Sequence, residues 1–366
     1  MIKYLGSKRR LAPVLGALAT EAGARTALDL FTGTTRVAQE LKRRGIGVTA
    51  VDSTRYSEVF AHCYVATDAR LVDGTRLDAA LARLGALPGV DGYVTDTFCR
   101  ASRFFHPDNG RRIDAIREAI ATEHAGDPLE PVLLTSLIEA ADRVDSTTGV
   151  QMAYVKSWAP RALRPLELRR PVLLPGAGVA RRGDACALAP RLGAFDLAYL
   201  DPPYNQHRYA ANYHVWETLV AWDAPAHYGV ACKRVELRDR AATSRFNRKR
   251  EMPVALAEVL DGVDAALVIL SYNDEAWLDL DDLVSLCGRR GDVAVVGFDA
   301  PRYVGARIGI HNDRGVKVGS VGRLRNVERL FLVGDPSLLR RLVPVATAAG
   351  ATVEVAPPRG QRTRSR

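Results

Sequence analysis

The chain has 366 residues, of which 47% are hydrophobic and 25% charged, so it can bury a large core and wholesale disorder is not expected. Its net charge of +9 favours a polyanionic partner, because phosphates attract Lys and Arg at long range. Five cysteines without a CxxC pair argue against a disulfide framework and a zinc site, and no metal is expected. No apolar stretch has the length of a signal peptide core or a membrane span, so we expect a cytoplasmic protein.

Six short apolar runs rich in Val, Leu and Ala predict buried strands of a mostly parallel sheet. They are residues 26–31, 47–52, 195–201, 265–272, 292–298 and 329–333. In the helix expected after the first strand, apolar positions should face the sheet and basic positions should face solvent. These positions are Val37, Ala38 and Leu41 on one side and Lys42, Arg43 and Arg44 on the other. The alternation of strands and helices predicts an α/β fold with a doubly wound, Rossmann-like sheet.

The middle of the chain has a helical pattern instead. Between about residues 73 and 182, Ile113, Ile116 and Ile120 are spaced three and four apart. We interpret residues 73–182 as a mainly helical insertion with its own small core. It would divide the main domain into a first part, 1–72, and a second part, 183–356. Residues 357–366 hold four arginines and nothing to bury, which predicts a disordered basic tail.

A glycine turn follows the first predicted strand, in the sequence Leu-Asp-Leu-Phe-Thr-Gly that ends at Gly33. Glycine lets a ligand approach the backbone, and the helix that follows offers free N–H groups. Asp52 comes 19 positions later, at the tip of the second predicted strand, where a carboxylate can accept hydrogen bonds from ribose hydroxyls. Together they indicate a nucleoside-containing ligand, and the lack of G-x-G-x-x-G argues against a dinucleotide. The alternative is that Asp29 and Asp52 only cap a turn and a strand end.

The most informative stretch is the apolar strand that leads into Asp201-Pro202-Pro203-Tyr204. In open α/β sheets, ligands bind at the carboxyl ends of strands. The carboxylate of Asp201 and the carbonyl of Pro202 can accept both N–H bonds of an exocyclic amine, which frees its lone pair for methylation. Consecutive prolines stiffen the loop, and Tyr204 can stack on a base. The alternative is an ordinary turn that ends the strand.

These motifs together resemble the D12 class of DNA adenine N6-methyltransferases. Residues 3–8, Lys-Tyr-Leu-Gly-Ser-Lys, are similar to the family's K-W-x-G-G-K, and residues 30–34 resemble its glycine motif. The resemblance implies a Rossmann-like methyltransferase that transfers a methyl group from S-adenosylmethionine to adenine N6 in double-stranded DNA. The motif order is that of alpha-type members, in which the insertion is the target-recognition region.

Residue by residue, the resemblance and the patterns above assign a cofactor site and a catalytic site. The expected cofactor contacts are Tyr4, Lys8, Phe31, Gly33, Asp52, Asp184 and Asp201. The expected catalytic residues are Asp201, Pro202, Pro203 and Tyr204.

Two basic clusters are candidate DNA contacts, because an enzyme that modifies a base must extrude it from the duplex. Between residues 233 and 250, eight basic residues stand against two acidic ones, and we expect this segment to lie along the DNA backbone. Its candidates are Arg245, Asn247, Arg248, Lys249 and Arg250. The insertion holds a second cluster, around Phe104 and Phe105, that could read bases, with Arg103, Arg111 and Arg112 as candidates. The alternatives are a solvated charged loop for the first cluster and core positions for the phenylalanines, and for one of these two we favour the core position.

The favoured hypothesis is a site-specific DNA adenine methyltransferase, which could act beside a cognate restriction endonuclease. Methylation of an amino group on an RNA base is one alternative, since some ribosomal RNA guanine N2-methyltransferases share a similar tetrapeptide. A catalytically silent DNA-binding module is another. Cytosine C5 chemistry is excluded, because it requires a Pro-Cys dipeptide that the sequence lacks.

Overall fold

The computed structural model describes residues 2–155, 157–205, 208–239, 243–274, 276–301 and 325–358. Its strands, in chain order, are β1 (Thr26–Leu30), β2 (Gly47–Asp52), β3 (Val179–Arg182), β4 (Ala194–Leu200), β5 (His227–Tyr228), β6 (Lys233–Arg234), β7 (Asp264–Asn273), β8 (Asp292–Pro301), β9 (Arg325–Gly334) and β10 (Thr352–Val355). Within these residues, β5 and β6 form a separate hairpin, and the other eight strands form one central sheet.

The central sheet has the spatial order β10-β8-β9-β7-β4-β1-β2-β3. Its five neighbouring strands from β3 to β7 are parallel. Strand β9 runs antiparallel between β7 and β8, and β10 runs antiparallel to β8. All six predicted strands are present, which confirms the mostly parallel sheet. The strand order reverses between β1 and β4, and a ligand crevice forms at such a switch point.

The helices are α1 (Ala12–Glu21), α2 (Arg36–Arg43), α3 (Arg55–Ala61), α4 (Gly74–Ala86), α5 (Pro107–Glu123), α6 (Glu130–Arg143), α7 (Ala185–Leu188), α8 (Tyr209–Asn212), α9 (His214–Ala221), α10 (Met252–Gly262), α11 (Leu280–Gly288) and α12 (Pro336–Ala348). Side-chain oxygens of Asp73, Asp279 and Asp335 accept backbone N–H groups where α4, α11 and α12 begin, as N-caps do. Of the helices described, none has the length and apolar character that crossing a membrane requires.

Helices cover both faces of the sheet. Successive strand residues point to opposite faces, so Ala27 belongs to the buried cluster that includes residues of α1, α2 and α12, while Leu28 belongs to the cluster that includes residues of α7, α10 and α11. The doubly wound architecture predicted from the sequence is therefore confirmed.

The described residues of the insertion include the helices α4, α5 and α6, but its core is not separate. Ile113 and Ile138 belong to the same buried cluster as Phe60 of α3 and Trp216 of α9. The expectation of an independent small core is wrong, because helices on either side of the insertion close that core. In addition, β3 pairs with β2, so the central sheet resumes within the range 73–182 assigned to the insertion. Of the predicted tail, residues 359–366 lie outside the described residues.

Lys42 departs from the predicted pattern of α2. Val37, Ala38 and Leu41 are buried as expected, and Arg43 and Arg44 are exposed, but Lys42 is only 5% exposed. Its ammonium donates to the backbone carbonyls of Val65 and Thr67 at 2.8 and 2.7 Å, at the end of the π-helical turn His62–Ala66. Lys42 therefore joins α2 to that turn instead of facing solvent, and its burial lowers its pKa.

Candidate active site

A cleft of about 280 Å³ opens at the switch point of the sheet, beside the carboxyl ends of β1, β2 and β4. The backbone N–H of Asp201 donates to the carbonyl of Leu30 at 3.4 Å, which joins the ends of β4 and β1. Five predicted cofactor residues line this cleft: Tyr4, Phe31, Asp52, Asp184 and Asp201. The other two, Lys8 and Gly33, line an adjoining cavity of about 30 Å³. The structure therefore brings all seven together.

The turn after β1 enters the left-handed region of backbone space three times, with φ of 72° at Phe31, 52° at Gly33 and 60° at Thr35. For residues other than glycine, such conformations cost about 1–3 kcal/mol each and concentrate at functional sites. Gly33 has a second reason to be glycine, because a Cβ atom there would lie 3.1 Å from the ring of Tyr4. The turn thus brings bare backbone against an aromatic ring beside the cleft.

Asp52 caps the end of β2 and also holds the glycine turn. Its Oδ1 accepts the backbone N–H and the hydroxyl of Thr54 at 3.0 and 2.9 Å, so it does cap the end of β2. Its Oδ2 accepts the backbone N–H of Gly33 at 2.9 Å, which holds the glycine turn against β2. Burial raises the pKa of Asp52. A carboxylate oxygen can accept two hydrogen bonds, so Oδ2 can still accept a ligand hydroxyl.

Tyr4 belongs to a cluster of four tyrosines. Its ring stacks on Tyr213 and Tyr209, with centroids 4.8 and 5.3 Å away, and its hydroxyl lies 3.4 Å from that of Tyr56. Tyr209 also lines the cleft, although the sequence did not single it out for that role. Burial raises the pKa of Tyr4, so its hydroxyl stays neutral. The N-terminal motif is therefore held in place by aromatic packing against α3 and α8.

The carboxylate of Asp201 meets a buried lysine. Lys8 Nζ lies 3.0 Å from Asp201 Oδ1 and 2.5 Å from Glu328 Oε1. Lys8 and Asp201 were predicted from the sequence, but Glu328, which precedes the predicted strand 329–333 by one residue, was not. The available signal was an acidic residue next to an otherwise apolar run.

Burial and two neighbouring charges set the proton affinity of Asp201. Burial raises its pKa to about 6, Lys8 opposes that increase, and the carboxylate of Glu328 adds to it. Burial would also raise the pKa of Glu328, but Lys8 and two hydrogen bonds bring it below its usual range. Burial would lower the pKa of Lys8, yet the two carboxylates hold it well above its usual value. Asp201 is therefore the carboxylate of this group that binds a proton most readily.

The other three residues of the tetrapeptide differ in their surroundings. Pro202 is buried and Pro203 lines the cleft. Tyr204 packs against Tyr272 with ring centroids 5.2 Å apart, and burial raises its pKa. Stacking of Tyr204 on a base stays a prediction.

Two other aspartates cap local structure near the cleft. Asp184 is exposed, and its Oδ1 accepts the N–H of Ala187 at 3.1 Å where α7 begins. Asp29 is 1% exposed, and its Oδ2 accepts the hydroxyl of Thr32 at 2.7 Å and the N–H of Ala38 at 3.1 Å. Burial raises the pKa of Asp29 to about 7. The capping role that the sequence allowed for Asp29 is the one its contacts describe.

Part of the predicted DNA-backbone segment forms a wall of the cleft. Ser244, Phe246 and Asn247 line it, and Phe246 meets Phe31 edge to face at 4.9 Å. The Asn247 side chain donates to the carbonyl of Asn205 at 2.8 Å, next to the catalytic loop. A solvated loop is therefore the wrong description of residues 244–247.

The basic residues of that segment differ in their surroundings. Arg245 pairs with Glu258 at 2.5 Å and Arg248 with Glu251 at 2.8 Å. Lys249 and Arg250 are exposed. Contact of this segment with DNA stays a prediction.

The cluster in the insertion is largely structural. Phe104 and Phe105 are each 1% exposed, so the core position favoured for one of them holds for both, and neither is placed to read a base. Arg111 pairs with Asp108, and Arg112 donates to the carbonyl of Gly85 at 2.6 Å. The guanidinium of Arg103 lies 4.6 Å above the ring of Trp158. For these arginines, DNA contact stays a prediction.

The fold and the site together define a Rossmann-like methyltransferase: a doubly wound sheet, a glycine turn tied to an acid at the end of the second strand, and Asp-Pro-Pro-Tyr at the switch point. The profile of the D12 class N6 adenine-specific DNA methyltransferases matches residues 4–285, and the chain belongs to that family. It is thus an adenine-specific DNA methyltransferase, as predicted.

Curated relatives agree with this assignment. The chain is 29% identical to the type II methyltransferase M.NlaIII of Neisseria lactamica, over 82% of this chain and 92% of the relative. It is 32% identical to the type II methyltransferase M.CviAII of Paramecium bursaria Chlorella virus 1, over 61% of this chain and 68% of the relative. With the modification methylase StsI of Streptococcus sanguinis it shares 27% identity over 78% of its length, but spans 46% of that relative.

Among solved structures, the CcbJ methyltransferase of Streptomyces caelestis is 12% identical, with a TM-score of 0.22, over 95% of this chain and 87% of its own. A likeness that weak supports no functional argument.

Proposed function

We propose that the cleft binds S-adenosylmethionine and that the chain methylates the N6 amino group of an adenine turned out of double-stranded DNA. The observation that carries this proposal is the meeting of Asp201 with all the other predicted cofactor residues at one switch point. Action in the cytoplasm and a cognate restriction endonuclease belong to the same proposal, and relatives named type II methyltransferases support the latter.

The cleft suits a nucleoside that carries a sulfonium group and no phosphate. Phe31 and Phe246 offer aromatic walls, and Asp52 offers a carboxylate to hydroxyls. The single Gly33 gives close access to the backbone without a phosphate-binding loop. Bound there, S-adenosylmethionine would supply an electrophilic methyl carbon.

The Asp201 carboxylate would orient the substrate amine. It accepts one N–H bond of N6 while the carbonyl of Pro202 accepts the other, so the lone pair turns away from the ring toward the methyl donor. With a pKa of about 6, Asp201 is ionised at neutral pH. It can also take up the proton that N6 loses when the methylated amine forms.

Incorporation of tritiated methyl groups tests the proposal. Double-stranded DNA and structured RNA are offered side by side to the purified chain, with Asp201→Ala as the inactive control. We expect label in DNA alone and its loss in the variant. Label in RNA, or in DNA with equal efficiency in the variant, would refute the proposal.

A further inference from the structure

Glu328 is a buried carboxylate, and the ammonium group of Lys8 lies between it and Asp201. It lies on β9 in register with Asn273 of β7, and it is 8% exposed. Lys8 Nζ approaches its Oε1 to 2.5 Å, and the hydroxyl of Ser271 donates to the same oxygen at 2.8 Å. The side-chain amide of Asn273 donates to Oε2 at 3.3 Å. Two strands of the central sheet therefore fix this carboxylate rigidly.

One ammonium group serves two carboxylates in this arrangement. If Lys8 faced Asp201 alone, it would form a closer pair with it and lower its proton affinity. Glu328 takes the shorter contact, 2.5 Å against 3.0 Å, so Asp201 keeps more of its charge available to a second donor. Two carboxylates and one cation also leave a net negative charge where positive charge develops on a methylated amine.

We propose that Glu328 is a positioning residue for methyl transfer, which holds the Lys8 ammonium so that Asp201 remains available to the substrate amine. This inference rests on the proposed function. It agrees with the pKa of Asp201, which Glu328 and burial raise against the opposing effect of Lys8.

A purely structural role for Glu328 would have different consequences from a positioning role. If Glu328 only neutralised a buried lysine, its loss would lower stability, and activity would follow the folded fraction with an unchanged pH profile. A positioning role also predicts that the acid limb of the pH profile shifts. Without Glu328, Lys8 pairs with Asp201 alone, so Asp201 stays ionised to lower pH while the amine competes with Lys8 for its oxygens.

The test measures kcat and KM for DNA between about pH 5 and pH 9, beside thermal unfolding and S-adenosylmethionine binding. The variants are Glu328→Gln, which removes only the charge, and Glu328→Asp, which restores it. Glu354→Gln is the matched control, because Glu354 pairs with Arg329 at 2.7 Å from the edge strand β10.

For Glu328→Gln we expect kcat to fall at least about tenfold, with KM for DNA within about twofold of wild type. In the plot of kcat against pH, the acid limb lies near the Asp201 pKa of about 6 in wild type. In the variant it should shift to lower pH by about one unit. Glu328→Asp should recover most of kcat and the wild-type limb, and Glu354→Gln should match wild type. If Glu328→Gln does not fold, Ser271→Ala serves instead. With one donor fewer, the Glu328 carboxylate holds the Lys8 ammonium more tightly, so Lys8 stabilises ionised Asp201 less and the limb should move to higher pH.

An unmoved acid limb in folded Glu328→Gln or Ser271→Ala, or an unchanged kcat, would overturn the inference. A wild-type chain that methylates no adenine would instead refute the proposed function, and the inference with it. The two failures are therefore distinguishable.

Discussion

A 2.9 Å hydrogen bond from the backbone N–H of Gly33 to Asp52 joins the carboxyl ends of the first two strands of the sheet. The acid at the tip of β2 thus shapes the turn that follows β1, in addition to lining the cleft. One carboxylate links the conformation of the glycine turn to the ligand site.

Asp52→Ala should therefore weaken S-adenosylmethionine binding by about 10- to 100-fold, since a hydrogen bond to a charged group contributes about 1.5–3 kcal/mol. Isothermal titration measures the change. Asp196→Ala is the matched control, because Asp196 accepts the N–H groups of Arg25 and Thr26 at the opposite end of β1. Equal loss of affinity in both variants would contradict a local role for Asp52.

Gly33→Ala should impair the cleft more than an equally strained substitution elsewhere. Gly33 and Gly45 have φ of 52° and 81°, so alanine at either position costs about 1 kcal/mol in backbone strain. At Gly33 the new Cβ would also lie 3.1 Å from Tyr4, whereas at Gly45 it meets nothing within 4 Å. We expect a loss in urea unfolding at both positions, at least as large at Gly33, but weaker cofactor binding in Gly33→Ala alone. Unchanged binding in Gly33→Ala would count against close approach at this turn.

Asp201→Asn should abolish methyl transfer and stabilise the fold at pH 8. The pKa of Asp201 rises from 3.8 to about 6 on folding, so ionising it in the folded state costs up to about 3 kcal/mol above pH 6. The free energy of unfolding of the wild type therefore decreases by this amount as pH rises from about 4 through 6, while that of the variant does not. The gain should fall to about half at pH 5.

Urea unfolding of both proteins at the two pH values checks this. If the variant is less stable than wild type at pH 8, then ionised Asp201 does not destabilise the folded protein.

Lys249→Ala combined with Arg250→Ala should weaken DNA binding uniformly across sequences, because both side chains are exposed beside a wall of the cleft. The slope of log affinity against log salt should fall by about two, one for each lost phosphate contact. The control is the double alanine variant of Arg340 and Arg341, exposed on α12. Fluorescence anisotropy with labelled duplexes at several salt concentrations gives the slopes. An unchanged slope in the first variant would remove this segment from the DNA interface.

Sequence patterns found the buried strands because a strand covered on both faces is a nearly continuous apolar run. Strand β3 reads Val-Ala-Arg-Arg and is mostly exposed, and β10 is likewise exposed at the other edge of the sheet. Edge strands carry no such run, so these two were missed. Most of the predicted cofactor residues lie together because they stand at the end of a predicted strand or belong to the N-terminal motif, whereas Asp184 follows the unpredicted edge strand β3.

The sequence patterns did not predict the burial of Lys42 and Glu328. Lys42 sits among positions that suit a solvent face, and only the fold shows the carbonyl groups that hold it. Glu328 meets Lys8 across 320 positions of chain, a separation that no local periodicity reports. Such contacts are set by tertiary structure, since a buried charge needs a partner that strand pairing supplies.

The central claim is that this chain places a methyl group on adenine N6 through Asp201. Mass spectrometry of nucleosides, from duplex DNA incubated with the chain and S-adenosylmethionine, tests it most directly. We expect N6-methyldeoxyadenosine with wild type and none with Asp201→Asn, which should still bind the cofactor. A methylated cytosine in place of methylated adenine, or undiminished product from Asp201→Asn, would contradict the claim.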